Sequence, residues 1–89
     1  MDKNLSPLKK YRQEIDRLDD KIIILFNQRF KIVKKIFLFK QKNKLPLSDP
    51  TREQEMMARI IKTSTHPKVI KKIYSSIFIA SKKQFSKKR

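Results

Sequence analysis

The residues in this chain best placed to do chemistry are charged side chains that interrupt an apolar pattern. Leu8, Tyr11, Ile15, Leu18, Ile22, Leu25, Ile32, Ile36 and Phe39 recur at steps of three and four, the spacing of one stripe on a helix. The same repeat asks for an apolar residue at 29, and the chain supplies Arg29. A guanidinium on such a seam is costly without a counter-charge, so it implies a buried carboxylate or an anionic ligand. Lys40 lies eleven residues further on. At about 100° per residue it returns to within about 20° of Arg29, roughly 16 Å along the axis. The two cations share one stripe. Arg12, seventeen residues before Arg29, is rotated about 100° away from it. It cannot easily serve the same pocket from the same helix, but it can serve the equivalent pocket of a second copy.

A second charged cluster is Asp49-Pro50-Thr51-Arg52-Glu53. Asp49 reads as an N-cap with Pro50 at the first helical position, and Glu53 in the first turn suits the helix dipole. Arg52 aligns with Met56 and Ile60, so it is expected to face inward. Near the C-terminus Ser81 follows Ile70 by eleven residues, Gln84 follows Ile77 by seven and Phe85 follows Tyr74 by eleven. All three are expected near one apolar stripe. Taken singly these residues have bland readings: Arg12, Lys40 and Gln84 as solvated side chains, Arg29 in an internal salt bridge, Asp49 as a cap. The chain has only six arginines, and Arg12, Arg29 and Arg52 are half of them. Arginine's planar fork suits carboxylates, where lysine offers only a point charge.

Composition removes most other chemistry. Zero Cys excludes disulfides, thiolate zinc sites and a cysteine nucleophile. A single histidine, His66, leaves little room for ordinary metal sites or a Ser-His-Asp triad. Zero Gly excludes a glycine-rich phosphate loop and, with four Pro, disfavours a turn-rich β fold. No metal and no cofactor are expected. Nothing near the start resembles a signal peptide and no apolar run reaches membrane-spanning length, so a cytoplasmic chain is expected. The formal charge is +16, from 24 Lys+Arg against 8 Asp+Glu. Such a balance ordinarily points to nucleic acid. Here the lysines fall in scattered pairs such as Lys34-Lys35 and Lys71-Lys72, without the interleaved aromatics of a base-stacking platform. A small anionic substrate fits the charge equally well.

The elements that must position these residues are three helices, at about 7–42, 50–62 and 67–86, in one domain over residues 1–89. Ser6-Pro7 and Asp49-Pro50 start the first two, and Thr63-Ser64-Thr65-His66-Pro67 breaks the second from the third. The second helix shows one apolar face, Met56, Met57, Ile60 and Ile61; in the third Ile70, Ile73, Tyr74 and Ile77 are expected inward. The first helix would be roughly 50 Å long, too long for its apolar stripe to be covered within a globule of this size. Pairing with a second copy is the simplest solution.

With these positions marked, the chain resembles the all-α class of chorismate mutases. The resemblance runs from about residue 6 to 85. It rests on Tyr11-Arg12-Gln13-Glu14-Ile15-Asp16-Arg17-Leu18-Asp19, then Arg29, Lys40 and Asp49-Pro50-Thr51-Arg52-Glu53, and the closing Ile77-Phe78-Ile79-Ala80-Ser81 with Gln84. It implies an all-α, intertwined homodimer of three-helix chains with the long first helices paired. It also implies the conversion of chorismate to prephenate in phenylalanine and tyrosine biosynthesis. That rearrangement needs no nucleophile, metal or proton relay.

Carried over by position, Arg29 and Arg12 of the partner subunit would grip the two substrate carboxylates. Lys40 would donate to the ether oxygen and a carboxylate, and Arg52 would support carboxylate binding. Glu53 would accept from the ring hydroxyl with Asp49 assisting, and Ser81 would lie near the ring carboxylate. The family's second donor to the ether oxygen is a Gln or Glu four residues after the Ser81 position. Here that slot holds Phe85, and Gln84 comes one residue early. Either distortion at the helix end lets Gln84 serve, or Lys40 acts alone. Two other functions are to be weighed: an isochorismate-pyruvate lyase of the same fold, against which Glu53 counts, and a basic helical nucleic-acid-binding protein with no need of Arg29.

Overall fold

The computed structural model describes residues 6–86, with side chains through residue 84. Among these residues the chain is all-α. Helix α1 runs Ser6–Lys42, α2 Pro50–Thr63 and α3 Pro67–Ser86, within a residue of the expected bounds. The chain divides into two compact units, Met1–Ile32 and Val33–Arg89.

The first unit holds the N-terminal part of α1. Its expected stripe is a row of exposed apolar side chains, from Leu8 at 42% to Leu25 at 61%. The half-buried residues are Phe26, Arg29 and Phe30, and the two phenylalanine rings stack at 6.1 Å one turn apart. In the second unit the end of α1 half-buries Val33, Phe37 and Lys40, while Ile36 and Phe39 stay exposed. The stripe expected through Ile32, Ile36 and Phe39 is exposed in the single chain, like the row before it. In the run Ile32 to Phe39 six of eight residues are apolar, so this part of α1 carries apolar side chains on more than one face. Periodicity cannot single out one face of such a helix.

The end of α1 is a Schellman motif. Lys44 takes a left-handed conformation with φ 54. The Leu45 N–H reaches the Lys40 carbonyl at 2.8 Å and the Lys44 N–H reaches that of Gln41 at 3.3 Å. Glycine is the usual occupant because a Cβ clashes there, at a cost of about 1–2 kcal/mol. Lys44→Gly should raise stability by about 0.5–1 kcal/mol, the relieved clash less glycine's extra unfolded-state entropy. Urea unfolding at fixed protein concentration measures it, and an unchanged or lower midpoint would count against the cap.

Helices α2 and α3 form an antiparallel hairpin. A short link joins them, and Glu53 at the start of α2 meets Lys82 near the end of α3. Their facing surfaces hold Met56, Met57, Ile60 and Ile61 against Ile70, Tyr74, Ile77 and Phe78. Phe78, at 9% exposure, is the most enclosed apolar residue described, and Tyr74 packs edge-on to its ring at 6.0 Å. Ile73, expected inward, is 46% exposed because it lies off the middle of the face centred on Ile70, Tyr74, Ile77 and Ser81. The link is built from polar side chains. Thr63 Oγ1 donates to the Arg59 carbonyl at 3.1 Å, and Ser64 Oγ accepts from the His66 N–H at 2.9 Å. His66 Nδ1 lies 2.9 Å from Thr65 Oγ1, so the single histidine serves the turn.

Candidate active site

The second unit contains Lys40, Asp49, Arg52, Glu53, Ser81 and Gln84. Asp49 caps α2, its Oδ1 accepting from the Arg52 N–H at 3.1 Å. Pro50 follows as the first helical residue, where a missing N–H costs nothing. This cap holds the first turn of α2, and with it Arg52 and Glu53. The half-buried face of α2 runs through Glu53, Met56, Met57, Ile60 and Ile61. Arg52 sits about 100° from the middle of that face and is exposed. The expectation that it follows Met56 and Ile60 inward is corrected: Glu53 takes the inward position, one residue along.

Glu53 is met from α3. Its Oε2 lies 3.1 Å from Lys82 Nζ, with side-chain exposures of 30% and 50%. Ser81, the residue before, is half-buried. Gln84 is exposed, about 60° round the helix from Ser81. The side chain of Phe85 lies outside the described residues, and so does the question of which residue fills the slot after Ser81. Lys40 is half-buried and donates from Nζ to the Leu47 carbonyl at 3.4 Å. Its own carbonyl accepts the Leu45 N–H of the Schellman cap, so Lys40 is tied to the loop before α2 at both ends. Arg12 and Arg29 belong to the first unit, where Arg12 is exposed and Arg29 half-buried. A groove along α3, lined by Lys68, Lys71, Lys72, Ser75 and Ser76, contains none of the expected site residues.

A family model for chorismate mutase type II matches residues 11–85. The chain belongs to the type II chorismate mutase family. A bifunctional chorismate mutase/prephenate dehydratase from Aquifex aeolicus (strain VF5) is 36% identical over 74 residues, 83% of this chain and 19% of that protein. The chain thus spans about a fifth of the length of the curated relative it matches. Among solved structures, chorismate mutase (form I) from Thermus thermophilus superposes with a TM-score of 0.81 at 30% identity. The alignment covers 85% of this chain and 99% of that one.

Within this chorismate mutase fold, sequence reasoning missed Lys82. It stands in one of several lysine pairs, Lys82-Lys83, and such pairs read as solvated surface. The available signal was its position directly after Ser81, on the edge of the inward face of α3. No described helix is long and apolar enough to cross a membrane.

Proposed function

We propose that this chain is a chorismate mutase, acting over residues 1–89 as one domain and converting chorismate to prephenate. The observation that carries the reading is the start of α2, where the Asp49 cap holds the first turn and Glu53 meets α3 at Lys82, the residue after Ser81. Chorismate offers a ring hydroxyl for Glu53 and two carboxylates for the cations Arg29 and Lys40 of α1. In the reaction the ether C–O bond breaks while a C–C bond forms between the enolpyruvyl carbon and the ring. No proton or group is exchanged with the protein. Catalysis then consists of holding the folded conformer and stabilising charge as it grows on the ether oxygen.

In this reading Arg29 and Arg12 of the partner subunit grip the carboxylates and Lys40 donates to the ether oxygen. Glu53 accepts from the ring hydroxyl and Ser81 meets the ring carboxylate. Asp49 acts by holding the first turn of α2. The exposure of Arg52 suits support through water, and Gln84 is the second donor to the ether oxygen. The partner is a second copy of the chain. What supports this is the exposed row Leu8, Tyr11, Ile15, Leu18, Ile22 and Leu25, since a lone helix draws most of its stability from covering such a face. Arg12 lies on the same stretch of α1. A cytoplasmic setting belongs to the same reading, because the substrate is an intracellular metabolite.

The deciding experiment follows chorismate loss by ultraviolet absorbance and identifies prephenate among the products. Turnover by the purified protein that disappears in Arg29→Ala, with helicity and mass of the assembly retained, is the expected result. A folded protein that leaves chorismate untouched overturns the reading. Pyruvate release from isochorismate would replace it with the lyase, and duplex binding that falls steeply with salt would point to nucleic acid.

A further inference from the structure

We propose that Lys82 is a positioning residue for Glu53, fixing the end of the site that reads the substrate's ring hydroxyl; this rests on the mutase reading above. Glu53 has three rotatable side-chain bonds, and its carboxylate is useful only if it is held in one place. That hold comes from α3. Lys82 Nζ stands 3.1 Å from Glu53 Oε2, joining the first turn of α2 to the last part of α3 within one compact unit. An ionised carboxylate offers about four lone-pair sites, so one held by an ammonium still accepts from a hydroxyl.

The charge of the substrate makes the pairing more than structural. A glutamate in a site for a dicarboxylate repels the ligand it is meant to orient, and a cation beside it offsets that repulsion. Lys82 supplies that cation from the opposite helix, 3.1 Å from the carboxylate. Ser81, assigned to the ring carboxylate in the same reading, is its neighbour in sequence. The turn of α3 holding Ser81 and Lys82 thus serves both polar groups of the ring: one directly, the other through Glu53.

The test is a double-mutant cycle with chorismate, using Lys82→Met, Lys82→Arg, Glu53→Gln and the double variant Glu53→Gln/Lys82→Met. Lys82→Met should raise KM about threefold to fivefold, the scale of a half-exposed ion pair, with kcat nearly unchanged and Lys82→Arg restoring most of the loss. On the Glu53→Gln background the same substitution should do almost nothing, because its effect passes through Glu53. Multiplying effects would overturn the proposal and assign Lys82 to the substrate directly. A wild-type KM in Lys82→Met would overturn it as well. Nitrogen-15 NMR of the Lys82 ammonium supplies a readout free of turnover. Slow proton exchange that is lost in Glu53→Gln is expected, and exchange indifferent to Glu53 sinks the pair whatever the rates. A wild-type protein without chorismate turnover removes the mutase reading, and this proposal with it. An active wild type with an unresponsive KM removes the proposal alone.

Discussion

Lys40→Met should lower kcat for chorismate by about 10²–10³-fold, the loss expected when one donor to a developing oxyanion is removed. The breaking C–O bond leaves its charge on the ether oxygen, and a half-buried ammonium gains strength there because water is partly excluded. If Lys40 acts mainly in the transition state, kcat and kcat/KM should fall together. A rise in KM at constant kcat would instead make it a binding residue. One structural effect must be separated from this. Lys40 Nζ also donates to the Leu47 carbonyl at 3.4 Å, so the variant loosens the loop leading to Asp49. The Schellman cap uses the Lys40 backbone and survives the substitution, so the cost in stability should stay near that of one exposed hydrogen bond, about 1 kcal/mol. Activity within a few fold of wild type would show that another donor suffices and would turn attention to Gln84.

Mixing two inactive variants should restore about a quarter of wild-type activity. Arg12→Ala removes a carboxylate contact that the proposal draws from the partner, and Lys40→Met disables the site from within its own chain. Each homodimer is then inactive. After unfolding and refolding together at equal concentrations, half of the dimers are mixed, and in each of these one of two sites carries both wild-type residues. Half of one half is a quarter. Recovery near that value would make Arg12 a residue donated across the interface. No recovery, from a mixture shown by mass to contain mixed dimers, would place Arg12 and Lys40 in the same chain's site and end the shared-site proposal.

The limits of sequence reasoning are visible at particular residues. The start of α2 could be read from Asp49-Pro50, since a cap followed by proline acts locally and needs no tertiary context. The break at Thr63 to Pro67 is equally local, and so is the family, which rests on side chains in fixed register along helices. The face of α2 was misjudged at Arg52. Both 52-56-60 and 53-56-57-60-61 are helical repeats, and only packing against α3 selects the second. The same holds for Ile73, which lies off the middle of the face that α3 turns to α2. Lys44 was missed because a chain without glycine gives no residue-type signal for a left-handed cap.

What local physics controls, the linear chain therefore shows: where helices start and stop, and which residues of one helix share a turn. What depends on the rotation of one helix against another, only the folded chain decides. The contact of Glu53 with Lys82 is of that kind. A side chain swings by about 100° from one residue to the next, so whether two charges 29 positions apart meet at 3.1 Å depends on how the apolar faces of α2 and α3 interlock.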